Sequence, residues 1–75
     1  MVAREVWEQF VRQVKSDNRF IFTETDQRVE LFIKDPRTST SMVTLMVKDM
    51  LGPEVNMEVP PGLRFTVHVY QPELR

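Results

Sequence analysis

Cysteine is absent from this 75-residue chain, and histidine, tryptophan and tyrosine occur once each. Without cysteine there are no disulfides, thiolate zinc sites or cysteine nucleophiles, and one histidine excludes a site built from several imidazoles. Neither sign of charge is in excess: ten Lys and Arg stand against eleven Asp and Glu. The basic residues are spread along the chain, mostly beside acids, whereas a nucleic-acid binder usually carries a basic excess or stripe. No apolar run approaches the length of a membrane span, and no charged start leads into a secretory-type apolar stretch. With no cysteine, these absences point to a cytoplasmic protein. No calcium-loop spacing, glycine-rich phosphate loop or paired-carboxylate motif occurs, so no metal, cofactor or catalytic residue is assigned.

A chain of this size forms a single domain, 1–75, and buries only about 60% of its unfolded surface. Small folds without disulfides or metals lean on oligomerisation, so a homodimer or a partner complex is expected.

Val2–Ser16 has helical periodicity. Val2, Val6, Phe10 and Val14 recur every four residues, Trp7 and Val11 widen the stripe, and Arg4, Glu5, Glu8, Arg12 and Lys15 take the other side. Trp7 reads as core packing. Asp17-Asn18 ends the helix, with Asn suited to a left-handed residue.

Two strand-like runs follow, Arg19–Glu24 and Arg28–Lys34, joined by Thr25-Asp26-Gln27. Alternation puts Phe20 and Phe22 on one face of the first run and Ile21 and Thr23 on the other. In the second, Val29, Leu31 and Ile33 oppose Arg28, Glu30, Phe32 and Lys34. Grouping the three Phe side chains on one face makes a hairpin that is apolar on both sides. Such a hairpin requires cover on each, from two helices or from a helix and a second subunit. Asp35-Pro36 closes the second strand, because proline cannot donate to a ladder and restrains the residue before it.

Met42–Leu51 fits a helix better than a strand. Val43, Met46, Val47 and Met50 fall at i, i+3, i+4 and i+7, and Gly52-Pro53 is a strong stop. Its methionines read as gap-filling core. A second hairpin is expected from Val55, Met57 and Val59, the turn Pro60-Pro61-Gly62, and Leu63, Phe65, Val67 and Val69. Arg64, Thr66, His68 and Tyr70 then form its wet face. Residues 72–75 read as a frayed tail.

The expected fold is α+β: helix, hairpin, helix, hairpin (αββαββ), with a four-stranded antiparallel sheet packed by helices. If Met42–Leu51 were extended, one helix would lie on a five-stranded sheet.

The expected function is non-enzymatic: a small protein-binding protein, such as an inhibitor, adaptor or accessory subunit of the kind phages and mobile elements carry, acting by occlusion. Its candidate interface residues are Phe20, Phe22, Phe32, Arg64, His68 and Tyr70, since Tyr and Arg are enriched at interface anchors. The alternative is a nucleic-acid-binding module that stacks bases on Phe20, Phe22 and Phe32. His68, with Glu58 on the facing strand as an orienting carboxylate, is the one place for acid–base chemistry. No nucleophile accompanies it.

Overall fold

A computed structural model describes residues 2–74. The elements run α1 (Arg4–Lys15), β1 (Phe20–Glu24), β2 (Arg28–Ile33), α2 (Thr40–Leu51), β3 (Met57–Glu58) and β4 (Thr66–Tyr70). The strands form one antiparallel sheet in the order β1-β2-β4-β3, so the chain is an α+β domain. The segment read as helix or strand is helix, with Ser39 as its N-cap: the Ser39 hydroxyl accepts a hydrogen bond from Met42 N–H at 3.2 Å. Gly52 ends that helix with φ 102°, a backbone region that glycine enters without steric cost.

The β1–β2 register decides which faces are apolar. Phe20 lies opposite Ile33 and Phe22 opposite Leu31, so both Phe side chains share a face with the aliphatic row of β2. Phe32 lies opposite Ile21 on the other face. The three Phe residues are therefore split, a correction to the reading that grouped them. Spacing along a strand fixes alternation within that strand but not which parity faces its neighbour.

Val67 and Val69 of β4 pair with Leu31 and Val29 and continue the inner face. Trp7, Phe10 and Val14 of α1 and Val43, Val47 and Leu51 of α2 join these residues in one buried cluster. Both helices thus cover the same side of the sheet, and the chain's own helices leave the opposite side open. Trp7 is core, its ring centroid 5.4 Å from that of Phe10. Val6, placed in the stripe from sequence, is exposed, because the buried face is centred on Trp7, Phe10 and Val14. Met46 and Met50 pack against the cluster, while Met42 is exposed.

Among the described residues no residue other than glycine takes positive φ, so the expected left-handed Asn18 is not found. The α1–β1 turn is fixed by Asp17. Its carboxylate accepts Arg19 N–H at 2.9 Å and the Arg19 guanidinium at 2.7–3.1 Å. The hydrogen bond from Arg19 holds the Asp17 carboxyl below its ordinary 3.8, and burial opposes this less strongly. The same guanidinium lies over the Phe20 ring and reaches Met46 Sδ at 3.4 Å, tying the turn to α2.

The second hairpin is shorter than its alternation suggests. Leu63 N–H donates to Pro60 C=O and Thr66 N–H to Leu63 C=O, so the stretch before β4 is turns rather than strand. Leu63 and Phe65, expected on the dry face, are half exposed. The chain end is pinned rather than frayed through residue 74. Val2 N–H donates to Glu73 C=O at 3.1 Å, Val2 and Leu74 form a parallel bridge, and Leu74 packs against the core. Arg75, also read as tail, lies outside the described residues.

Candidate interaction surface

The open face of the sheet is built from cross-strand rows fixed by the register. Ile21, Phe32 and Thr66 form one row; Thr23, Glu30, His68 and Glu58 the next; Arg28 and Tyr70 a third. The two ends of this face differ in chemistry.

At the polar end the long side chains are paired, Arg28 with Glu30 and Tyr70 with Glu58. Arg28 Nε donates to Glu30 Oε2 at 2.8 Å, and the Arg28 guanidinium lies 5.9 Å from the centre of the Tyr70 ring. The hydrogen bond to Glu30 stabilises the charged form of Arg28 and raises its pKa. Tyr70 OH donates to Glu58 Oε2 at 2.9 Å. His68 lies between Glu30 and Glu58 in register, flanked along its own strand by Thr66 and Tyr70. It is only 7% exposed, where sequence alternation places it on a wet face. Glu58 stands directly across from His68, as expected of an orienting carboxylate, yet it accepts its hydrogen bond from Tyr70. Nδ1 of His68 is buried with no hydrogen-bond partner among the described residues.

The apolar end is half open to solvent. Ile21 is 53% exposed, Phe32 43% and Phe65 49%. Phe32 and Phe65 share a shallow depression with Ile33, Lys34, Asp35 and Pro36 where β2 leaves the sheet. Arg64 lies over the Phe65 ring, its guanidinium carbon 5.8 Å from the centroid. Two aromatic rings are thus bordered by two cations, Lys34 and Arg64.

Of the residues singled out from sequence, Phe32, His68 and Tyr70 share this face, and Arg64 borders it from the turn before β4. Phe20 is buried in the core, and Phe22 is half buried at the edge of the inner face with Lys15 Nζ 5.7 Å from its ring centroid. The three-ring stacking platform required by the nucleic-acid reading does not form. Sequence reasoning missed Ile21 and Phe65. The signal for Phe65 was the Pro60-Pro61-Gly62 cluster, whose turns extend to Phe65 and remove it from the strand alternation.

Among the described residues no group of three His, Asp or Glu side chains is placed to hold a metal ion, and no helix is long and apolar enough to cross a membrane. Comparison with models of protein families, with curated proteins and with solved structures gives no match, so the reading of this surface rests on its own geometry.

Proposed function

We propose that this chain is a protein-binding module, not an enzyme, and that it occludes its partner with the apolar end of the open sheet face. The observation that carries the reading is the asymmetry of that face. Its polar end commits its carboxylates to Arg28 and Tyr70, while Ile21, Phe32 and Phe65 each leave about half of their surface open to solvent. Aromatic side chains in a shallow depression, rimmed by Arg and Lys, have the composition of a binding anchor. The partner's matching chemistry is an apolar projection bordered by carboxylates, which would meet Lys34 and Arg64. Inhibitor, adaptor and accessory-subunit roles all use such a surface.

The test is affinity capture from the native host with wild-type and Phe32→Glu/Phe65→Glu baits, both checked for an intact fold by the emission of buried Trp7. A protein held by the wild type and lost from the double variant supports the assignment. Identical captured sets with the two baits would refute it. Retention on a polyanion that falls steeply with salt, through counterion release, would favour nucleic acid instead.

A further inference from the structure

The two edges of the sheet are unequal. At one, β3 spans Met57–Glu58 and runs into Pro60-Pro61, a short strand followed by residues that cannot donate to a ladder. At the other, β1 spans Phe20–Glu24 with no proline and no glycine. Lys34 N–H donates to Arg19 C=O and Thr25 N–H to Arg28 C=O, each at 2.9 Å. Antiparallel pairing alternates, so Arg19, Ile21, Thr23 and Thr25 direct their main-chain groups at β2. Phe20, Phe22 and Glu24 therefore direct theirs away from the sheet. Phe20 N–H is taken by Asp17 C=O at 3.3 Å. Among the described residues no turn or loop bond engages Phe22 or Glu24.

Beside this edge, α1 and β1 form a groove lined by Trp7, Glu8, Val11, Arg12, Lys15 and Glu24. Its floor is apolar and its rim carries two acids and two bases. The charges are ordered along the groove. Glu8 lies toward the start of α1 and Glu24 at the end of β1, whereas Arg12 and Lys15 lie toward the end of α1. Because α1 and β1 are joined by a tight turn and run in opposite directions, both elements place their acid at the same end.

We infer that β1 pairs antiparallel with β1 of a second copy of this chain, about a two-fold axis at Phe22, joining two four-stranded sheets into one. At the axis Phe22 exchanges N–H···O=C bonds with Phe22 of the partner subunit, and Glu24 N–H meets the C=O of the partner's Phe20. The operator reverses the groove, so the acidic end of one copy faces the basic end of the other. Glu8 meets the partner's Lys15, and Val11 the partner's Arg12, because antiparallel helices related by one axis pair residues whose numbers have a constant sum. A charge pattern that is neutral in total and ordered end to end suits a second copy of itself. The α1 row supplies the area that a strand edge alone lacks. This pairing is independent of the partner surface proposed above. It would set two open faces side by side, with Ile21 of each copy next to Thr23 of the other.

The experiment measures mass by sedimentation equilibrium across a concentration series reaching the millimolar range. Wild type is expected at twice the 8.9 kDa chain mass. Glu8→Lys/Glu24→Lys makes the edge wholly basic and Arg12→Glu/Lys15→Glu makes it wholly acidic. All four residues are exposed, so the fold is retained. Each variant alone is expected to self-associate about ten- to a hundredfold more weakly, since every substitution acts twice across the axis. Their equimolar mixture is expected to recover the double mass. Phe32→Glu, on the interior strand β2, is expected to leave association unchanged, which separates this inference from the binding reading. A monomeric wild type, a dimer surviving in both charge variants, or a mixture that stays monomeric would each overturn the pairing.

Discussion

Phe20 and Phe32 have the same side chain in the same hairpin, and the fold gives them opposite environments. Phe20 is 5% exposed beneath the helices and Phe32 43% exposed on the open face. An aromatic side chain buries roughly 200 Å² when fully covered. At about 25 cal/mol per Å², Phe20 contributes roughly 4–5 kcal/mol of transfer free energy and Phe32 roughly 2–3. Truncation to Ala keeps about 1 kcal/mol of that transfer in each case. It adds a cavity cost only at Phe20, which is buried in the cluster that the helices and the sheet share. Phe20→Ala is therefore expected to cost about 3–5 kcal/mol, and Phe32→Ala about 1–2. A 75-residue domain commands roughly 4–11 kcal/mol in total, so Phe20→Ala alone brings the chain near the limit of folding. Urea unfolding followed by Trp7 emission measures both, provided the m-values match wild type. Equal losses for the two variants, or a larger loss for Phe32→Ala, would show that the strand faces are assigned the wrong way round.

Two further outcomes follow from the polar contacts. Asp17 titrates below its usual value because Arg19 bonds its charged form. Its contribution is complete above about pH 4 and disappears as pH falls through the depressed pKa. Asp17→Asn is expected to cost about 0.5–1 kcal/mol at neutral pH for a partly exposed pair. The gap to wild type then closes toward about pH 2 in denaturant midpoints taken across pH, whereas a gap independent of pH would remove the ion pair from the account. His68→Ile replaces a buried imidazole whose Nδ1 has no partner with an apolar side chain suited to a strand. Releasing a desolvation penalty of about 1–3 kcal/mol should offset the altered packing. The thermal midpoint is expected to hold or rise, and a fall of more than about 8 °C, or roughly 1 kcal/mol, would mean that the imidazole makes a bond the fold needs.

The amino-acid sequence carried the local structure because local structure is short-range physics. The Trp7, Phe10, Val14 spacing encodes α1. Ser39 and Gly52-Pro53 bracket α2, and Asp35-Pro36 stops β2. These follow from periodicity, capping and the missing N–H of proline, all within a few residues of the signal. The order of elements and the α+β class come with them.

What the tertiary structure alone decided is which partner each face meets. Alternation told that Phe20 and Phe22 oppose Ile21, and that Leu31 opposes Phe32, but only the pairing of Phe22 with Leu31 put Phe20 in the core, Phe22 at its edge and Phe32 outside. A one-residue shift in register would have reversed every assignment without altering the sequence pattern of either strand. The burial of His68 had the same origin. Its cross-strand neighbours, Glu30 and Glu58, come from strands thirty-eight and ten residues away in sequence, so its burial belongs to the assembled sheet rather than to β4 alone. Side-chain periodicity repeats along one strand; register and cover are set between strands, where no single stretch of sequence holds the information.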